Sequence, residues 1–572
     1  MSIIFPKRNA PSKNRQEGDS PGAVDRDANQ IDPSRSLCSD PSGETARSKI
    51  HRAYGVVGSA TLLSRVLGAA RDIVIASVFG AGLVSDAFVA AFRIPNLLRR
   101  MFGEGSLSIV FVPVYTDCLL RQGRLEADRL VNSAIRCLAL VLTLIVLLLI
   151  IAAPWVVRVM APGFAADPEK FMLTVNLTRI MLPYVISIGL VALSMGILNV
   201  LGHFAAPALA PVFLNISMIT AISAGAFFSG SKVVLVKWLA SGVLAGGVLQ
   251  LILQIPFLIR NKIYFWRPSR FWHPAIFEMA KMMGPVLFGA AVYQINSLVI
   301  TLLASLLPQG SVSCLYYADR LVQFPLGIFG VAAATVVLPT MARQSTEQQF
   351  EALRRTFAHA IQLVSFITLP AMVGLIVLRE PIVALLFKRG AFDQHTTQLT
   401  ASALLYYGIG LWGFSAVRVV LNVFYALKDT RTPVRMAVWA VAANVMLGVV
   451  LMRPMGHNGL ALALSLSSML NLGLLIVALR RRLGALGWRR ISLSVMKSAL
   501  CALFMGISIW ALARWLGAAE IKRSIVLLPV VAGCVITGVL VYIGFARMVG
   551  VPEIQLVVDL VRKKKKQHGA SA

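Results

Sequence analysis

The chain has 572 residues, of which 57% are hydrophobic and only 14% are charged, and its mean hydropathy is +0.75. Because soluble domains carry about 25% charged residues, this composition excludes an ordinary soluble protein and indicates a chain that lies mostly in lipid. The net charge of +30 comes from Lys and Arg spread through short loops, which argues against a nucleic-acid partner and is typical of the positive-inside bias of multi-pass membrane proteins.

Residues 1–50 differ from the rest of the chain. They are rich in Ser, Asp, Arg, Pro and Gly and contain no apolar core. The missing apolar core excludes a cleavable signal peptide. We expect a disordered cytoplasmic leader.

Fourteen apolar segments follow the leader, and together they predict an all-α polytopic membrane protein. Each is long enough to cross about 30 Å of hydrocarbon at a rise of about 1.5 Å per residue. Their approximate bounds are 52–80, 84–116, 131–157, 171–200, 207–229, 233–258, 279–307, 313–341, 353–378, 398–427, 433–452, 458–479, 494–516 and 524–547.

The loops between these segments alternate in charge. Basic residues cluster in one set, at 121–129, 260–270, 343–355, 428–435 and 480–490, whereas loops such as 80–85 and 308–311 hold no Lys or Arg. The bias predicts an even number of spanning helices with both termini in the cytoplasm. The basic run 562–566 either contacts anionic membrane lipid or is simply a solvated tail.

Two parts of the chain repeat each other. Ser77 matches Ser305 and Gly163 matches Gly390, and the offset stays between about 223 and 228 across several segments. Segments 1–6 and 7–12 are therefore predicted to be two copies related by an axis along the membrane normal, as in alternating-access carriers. The predicted organisation is a leader at 1–50, an N-lobe at 51–275, a C-lobe at 276–490, two added helices at 491–548 and a basic tail at 549–572.

Several arginines lie inside apolar segments, where each would cost about 2.5–3.5 kcal/mol if it faced lipid at a helix centre. We therefore expect them to face a polar cavity or to lie near a helix end. The guanidinium fork matches phosphate oxygens, so a cavity of this kind favours a phosphate-bearing cargo. The arginines concerned are Arg65, Arg71, Arg93, Arg99, Arg100 and Arg320.

Structural pairing is the alternative interpretation of these charges, and it applies most strongly to Arg93 and Arg100. The acids that could neutralise four of the arginines are Asp72, Asp86, Glu104 and Asp319. Asp86 falls in the first turn of its segment, where a carboxylate suits the helix N-terminus.

The second segment also contains residues that bend helices. Pro95 removes a backbone donor, and Gly103 and Gly105 permit further bending. Motifs of catalysis are missing from the sequence, which has no HExxH, no GxxxxGK[ST] and no CxxC. We expect a transporter with no catalytic residues, no metal site and no cofactor.

Four stretches resemble one family closely: SRVLGAARD, FGAGLVSDAF, RIPNLLRRMFGEGSLSIVFVPVY and YYADRLVQFPLGIFGVAAATVVLP. They are similar to the MurJ (MviN) lipid II flippases of bacteria, members of the multidrug/oligosaccharidyl-lipid/polysaccharide exporter superfamily. The resemblance covers about residues 52–545. It implies fourteen helices in two lobes, a lipid-tail groove at the last two helices, and movement of lipid II from the cytoplasmic to the periplasmic leaflet for cell-wall synthesis.

The resemblance also implies residue roles and partners. The cavity arginines that would bind the diphosphate fall on Arg65, Arg71, Arg99 and Arg320, and the acids of the second helix fall on Asp86 and Glu104. Asp72 and Asp319 are expected to act as charge partners, with Asp72 orienting an arginine. Peptidoglycan-synthesis and division proteins are the partners implied.

One departure from the family concerns sodium. Some members carry an acid in the seventh helix, where this chain has Ile300, and only Asn422 remains of the other ligands because Ala426 follows one turn later. A sodium site like theirs is not expected, which leaves membrane potential and protons open as energy sources. Three other functions remain as alternatives: another polyprenyl-diphosphate glycan flippase, a drug/cation antiporter, and a lipid-linked sugar transferase.

Overall fold

The computed structural model describes residues 43–103, 106–264, 273–327, 331–518, 521 and 523–554, with side chains from Gly55 onward except at most positions of 102–108 and 285–293 and throughout 331–336. Glu104, Gly105, most of the leader and most of the basic tail lie outside these residues. The described residues before Gly55 are helical, and those from Gly55 onward form a second unit, which contains the site.

The all-α prediction is confirmed, because all regular secondary structure among the described residues is helical. A short 3-10 helix, Pro162–Ala166, accompanies the following α-helices: α1 Gly43–Phe79, α2 Leu83–Gly103, α3 Ser106–Arg121, α4 Arg124–Ile151, α5 Ala153–Met160, α6 Pro168–Met181, α7 Tyr184–Val200, α8 Ala205–Phe228, α9 Lys232–Arg260, α10 Pro274–Ser305, α11 Ser311–Pro325, α12 Val331–Thr346, α13 Phe350–Val377, α14 Arg379–Phe387, α15 Gln394–Ile409, α16 Leu411–Ala426, α17 Arg431–Met455, α18 His457–Leu483, α19 Trp488–Trp515 and α20 Ser524–Met548.

Ten helical spans are long and apolar enough to cross a membrane within the described ranges. They are α4, α6 with α7, α8, α9, α13, α15 with α16, α17, α18, α19 and α20. The chain is therefore a multi-pass membrane protein.

The other four predicted segments, 52–80, 84–116, 279–307 and 313–341, are also helical where the structure describes them. The first two carry several charges within their apolar stretches, in α1 and α2. The seventh belongs to α10, which is 32 residues long. Three of these four regions, through α2, α10 and α11, line the site.

The second predicted segment is described as α2 and α3. Pro95 lies inside α2, as the sequence indicated, and the described part of α2 ends at Gly103. The description continues with α3 from Ser106. A proline inside a helix removes a backbone hydrogen bond, and the bending expected at Gly103 and Gly105 stays a prediction.

A buried apolar cluster places the site between helices from both halves of the chain. Ala76 of α1 and Val89 of α2 pack with Ile300 of α10, Tyr317 of α11 and Leu404 of α15, all at most 9% exposed. Interior packing of this density holds backbones in fixed register. The polar side chains on the same helices are therefore positioned relative to one another.

Candidate functional site

A polar cavity of about 200 Å³ lies beside this cluster, between α2, α10 and α11. Its wall contains three arginines and one aspartate, so its charge is positive. We call it the arginine cavity, and its lining residues are Val89, Phe92, Arg93, Asn96, Arg100, Asn296, Ser297, Ile300, Leu315, Tyr316, Asp319, Arg320, Gln323, Tyr407 and Leu464.

Arg93 reaches across the arginine cavity from α2 to α10. Its Nη1 donates to Ser297 Oγ at 2.6 Å. Its buried Nε finds no acceptor among the described residues. A buried donor without a partner raises the free energy of a site, so an acceptor bound at Arg93 Nε would lower it.

Arg320 approaches the cavity from α11. Its guanidinium carbon lies 4.8 Å from the ring centre of Tyr316, and its Nε lies 3.6 Å from Asp72 Oδ2. That distance exceeds a good charge-assisted hydrogen bond, and Nε has no hydrogen-bond acceptor within the described part of the chain. The charge of Arg320 is therefore only loosely neutralised.

Arg71 and Asp72 form a buried pair behind the cavity wall. Arg71 donates from Nε and Nη2 to Asp72 Oδ1, at 3.0 and 2.7 Å, and from Nη1 to Asn215 Oδ1 at 3.0 Å. The Tyr316 hydroxyl also donates to Asp72 Oδ1, at 3.2 Å. Asp72 thus links the arginine of its own helix to Tyr316 and Arg320 of α11.

Arg65 and Arg99 lie outside the cavity wall as well. Arg65 Nη2 donates to the Gly327 carbonyl at 3.2 Å, and Arg99 Nε donates to Asn96 Oδ1 at 3.0 Å. Of the four arginines predicted to bind the diphosphate, the structure therefore places only Arg320 in the wall. The roles of Arg65, Arg71 and Arg99 stay predictions.

Arg93 and Arg100, which sequence reasoning favoured as structural, do line the cavity. Their spacing contains the signal that was missed. Arg93, Asn96 and Arg100 follow each other at intervals of three and four residues, which places them on one helical face.

The helix ends beyond the cavity meet around Asp86, which is 1% exposed. Its carboxylate accepts from the backbone N–H groups of Gly310 and Ser313, at 2.8 and 2.9 Å, and from the Ser313 hydroxyl at 2.5 Å. Lys170 completes the site with an ion pair of 2.8 Å. Asp86 of α2 therefore connects α6 with the start of α11.

Asp319, the other predicted charge partner, lines the arginine cavity, and its carboxylate accepts a hydrogen bond from the Gln323 side-chain amide at 2.5 Å.

Two glycines let backbones from opposite halves of the chain touch at this end. A Cβ on Gly163 would collide with the Ser305 carbonyl, and a Cβ on Gly390 would collide with the Ser77 carbonyl. Gly390 also has φ +55, a conformation that side chains disfavour. The Ala391 N–H donates to the Ser77 carbonyl at 2.8 Å. We call this region, from Asp86 to these contacts, the closed end.

The closed end and the arginine cavity occupy successive levels of the same helices. Asp86 and Arg93 are seven residues apart on α2, which corresponds to about 10 Å along the axis.

A second pocket of about 210 Å³ adjoins the arginine cavity and shares Asn296 and Leu464 with it. Its other polar lining residues are Arg418, Ser467, Ser468 and Asn471.

The predicted departure at the sodium position falls near these pockets. Ile300 lines the arginine cavity, and Asn422 is buried on α16. Asn444 Nδ2 donates to Asn296 Oδ1 at 2.6 Å. Among the described residues, no group of three or more His, Cys, Asp or Glu could hold a metal ion. The coupling ion stays a prediction.

Comparison with known proteins gives a consistent result at the sequence level. A family model described as lipid II flippase MurJ matches residues 75–528. A probable lipid II flippase MurJ of Vibrio cholerae is 39% identical over 428 residues, which cover 73% of this chain and 81% of that protein. A lipid II flippase MurJ of Burkholderia cenocepacia is 36% identical over 458 residues, covering 79% of this chain and 88% of that protein.

Solved structures add the fold. A lipid II flippase MurJ in an inward closed conformation superposes with a TM-score of 0.72 at 27% identity, covering 86% of this chain and 98% of that one. An inward-facing multidrug resistance MATE family transporter of the MOP superfamily gives a TM-score of 0.63 at 18% identity, covering 76% of this chain and 98% of that one. The second likeness concerns the fold alone.

Proposed function

The chain belongs to the MurJ family of lipid II flippases, and from this premise we propose how its arginine cavity and closed end move the substrate. It is a transporter of lipid II and not an enzyme, and it serves peptidoglycan synthesis. Membership of this family replaces the three alternatives that the sequence left open, namely another polyprenyl-diphosphate glycan flippase, a drug/cation antiporter and a lipid-linked sugar transferase. We infer that it lies in the bacterial cytoplasmic membrane with both termini inside, which the alternating loop charges support.

We infer a full architecture of fourteen spanning helices, built as two six-helix repeats with α19 and α20 added. The contacts at the closed end support the repeats. Gly163 and Gly390 occupy matching positions of the two copies, as do Ser77 and Ser305. Each glycine packs on the serine of the other copy, which is the reciprocal contact expected of a pseudo-two-fold axis.

The convergence of three arginines on one cavity supports binding of the diphosphate there. Arg93, Arg100 and Arg320 face a single cavity acid, Asp319, and a guanidinium fork binds two phosphate oxygens at once. The sugar and peptide parts of the substrate would occupy the adjoining pocket, where Ser467, Ser468 and Asn471 offer hydroxyl and amide groups. The positive cavity disfavours a cationic drug as cargo.

Transport by alternating access requires the closed end to separate. Bound diphosphate neutralises the cavity and favours closure of the two repeats around it, and opening at Asp86 then releases the substrate on the far side. Pro95, which lies inside α2 two residues beyond Arg93, is proposed to let this helix bend during the change, together with Gly103 and Gly105. Asp86 thereby acts as a gate residue, and Glu104 is proposed as a second.

The energy source is proposed to be membrane potential or protons and not bound sodium. The polar pair Asn296 and Asn444 contributes no negative charge, whereas tight cation sites usually include carboxylates. A potential of 100 mV supplies about 2.3 kcal/mol for each charge moved across the membrane.

Depletion of the native flippase in a bacterial host, with this gene as rescue, tests the proposal. Wild type should restore exposure of lipid II at the outer leaflet, and the double variant Arg93→Ala, Arg320→Ala should not. Arg121→Ala is the matched control, since Arg121 is 78% exposed and pairs with Asp117 on the surface. Normal rescue by the double variant would contradict the cavity mechanism, whereas failure of wild type would contradict the function.

A further inference from the structure

A second large cavity, apolar and separate from the arginine cavity, lies between α13, α16, α18 and α19. Its volume is about 330 Å³, and it shares no lining residue with the arginine cavity or the adjoining pocket. Phe357, Trp412, Ile476 and Trp488 form much of its wall. The indole N–H of Trp412 donates to Ser365 Oγ at 2.8 Å, so it needs no partner inside the cavity.

The cavity opens on the outer surface of the helix bundle. Its α19 wall consists of residues 488, 491, 492, 495 and 496, a spacing that places them on one helical face. Trp488 and Met496, within this set, are 51% and 55% exposed. In a membrane protein these exposed positions face lipid, so an acyl chain can enter from the bilayer.

The mouth of this cavity is basic. Helices α13 and α19 begin at this mouth and helix α18 ends at it, so three helix ends meet at one side of the membrane. Arg354 lies one turn before Phe357 and Arg480 lies one turn beyond Ile476, both toward these helix ends, and Arg489 and Arg490 lie in the first turn of α19. The apolar walls of α13 and α18 are therefore each followed, one turn further toward the water, by an arginine.

Arg354 is placed to receive an anion at this mouth. A Cβ on Gly484, in the loop between α18 and α19, would lie 3.6 Å from Arg354 Nη2. The buried Nε of Arg354 has no acceptor within the part of the chain that the structure describes. Asp429, which precedes α17, pairs with Arg482 at 3.1 Å and accepts from the Thr432 hydroxyl.

We propose that this apolar cavity and its basic mouth form a binding site for a phospholipid with an anionic headgroup. One acyl chain fills the cavity, and the headgroup phosphate binds Arg354 and Arg480. Basic pockets between transmembrane helices recognise anionic headgroups in this way, and an interfacial tryptophan such as Trp488 fixes the depth. The site goes beyond the flippase function, because it lies apart from the substrate cavity.

Lipid binding to the full-length chain in detergent tests the site. Native mass spectrometry would measure the dissociation constants of dioleoylphosphatidylglycerol and of dioleoylphosphatidylcholine, which have the same acyl chains. We expect the anionic lipid to bind at least 10-fold more tightly. The variant Arg354→Ala, Arg480→Ala should weaken phosphatidylglycerol binding roughly 5-fold for each arginine removed. Arg355→Ala is the matched control, because Arg355 pairs with exposed Glu351 and should bind as wild type.

A second variant tests the acyl-chain cavity itself. Ala416 is 1% exposed and lines the cavity, so Ala416→Phe fills it and should reduce binding of both lipids at least 10-fold. If that variant fails to fold, Ser492→Trp blocks the mouth at an exposed position. Equal affinity for the two lipids, unchanged binding by the arginine double variant, or displacement by undecaprenyl diphosphate at equal concentration would overturn the proposal.

Discussion

The closed end and the arginine cavity are built on the same helices but satisfy their charges in opposite ways. Asp86 at the closed end receives four donors, one of them the ammonium group of Lys170. In the cavity, Arg93 and Arg320 each leave a buried Nε without an acceptor among the described residues. A satisfied buried charge stabilises one arrangement of its neighbours, whereas an unsatisfied one favours the arrival of a ligand. This difference is the basis on which we propose that Asp86 is a gate residue and the arginine cavity a binding site.

Among the substitutions considered, removal of the Asp86 carboxylate should have the largest effect, because the closed end depends on this satisfied charge. Asp86→Ala leaves Lys170 buried and unpaired, and breaking a buried ion pair from one side costs about 3–5 kcal/mol. We expect the closed end to open, so that a cysteine placed at buried Ser85 reacts faster with a maleimide. Asp167→Ala is the control at the same end, since Asp167 only caps α6. Equal labelling rates in wild type and Asp86→Ala would show that Asp86 does not hold this end shut.

Substitution of the two contact glycines should have the second-largest effect, and the two losses of stability should differ. Gly163→Ala and Gly390→Ala each force a Cβ against a carbonyl of the other half, which costs about 1–3 kcal/mol through overpacking. Gly390→Ala costs about 1–2 kcal/mol more, because its φ is +55. Thermal unfolding midpoints should therefore fall further for Gly390→Ala. Gly55→Ala is the control, since nothing lies within 4 Å of its Cβ. A larger loss for Gly163→Ala would refute the assignment of strain to Gly390.

The cavity arginines should affect binding more than stability. Each charge-assisted hydrogen bond contributes about 1.5–3 kcal/mol, so Arg93→Ala or Arg320→Ala should weaken binding of undecaprenyl diphosphate by about 10-fold to 100-fold. Arg93→Lys should recover part of the affinity, because it keeps the charge but loses the fork. Titration of the purified full-length variants measures this. Full affinity in Arg93→Ala would return Arg93 to the structural role that its sequence context first favoured.

The sequence predicted the fold better than the site, and particular residues show why. Long apolar runs are visible without knowledge of packing, and the charges of α2 marked one helix of the cavity wall, whereas those of α1 lie outside the wall. Which arginines line the cavity depends on how each helix is rotated about its axis and on which side chains pair with one another. Arg71 is taken up by adjacent Asp72 and by Asn215, 144 residues away, and no spacing rule connects Arg71 with Asn215. The reciprocal glycine contacts were predicted as a sequence match, but their close approach required the two copies to be placed together.

Asp393 at the closed end should show the smallest effect, and it depends on pH. The carboxylate caps α15 by accepting the Thr396 N–H at 2.8 Å, and this backbone hydrogen bond holds the pKa of Asp393 below its usual value. A depressed folded-state pKa contributes stability above the unfolded-state pKa, near 3.9, and the contribution is lost as the pH falls through the folded-state pKa.

Two substitutions of Asp393 separate the cap from its charge. Asp393→Ala should cost about 1 kcal/mol at pH 7, as N-cap removal generally does. Asp393→Asn keeps the cap without the charge, so its small deficit relative to wild type should be constant from pH 7 to pH 5 and shrink below pH 4. Unfolding midpoints of the three proteins across this range measure both effects. Because Asp393 is exposed, a deficit of Asp393→Asn comparable with that of Asp86→Ala would mean that the whole closed end, and not Asp86 alone, depends on carboxylate charge.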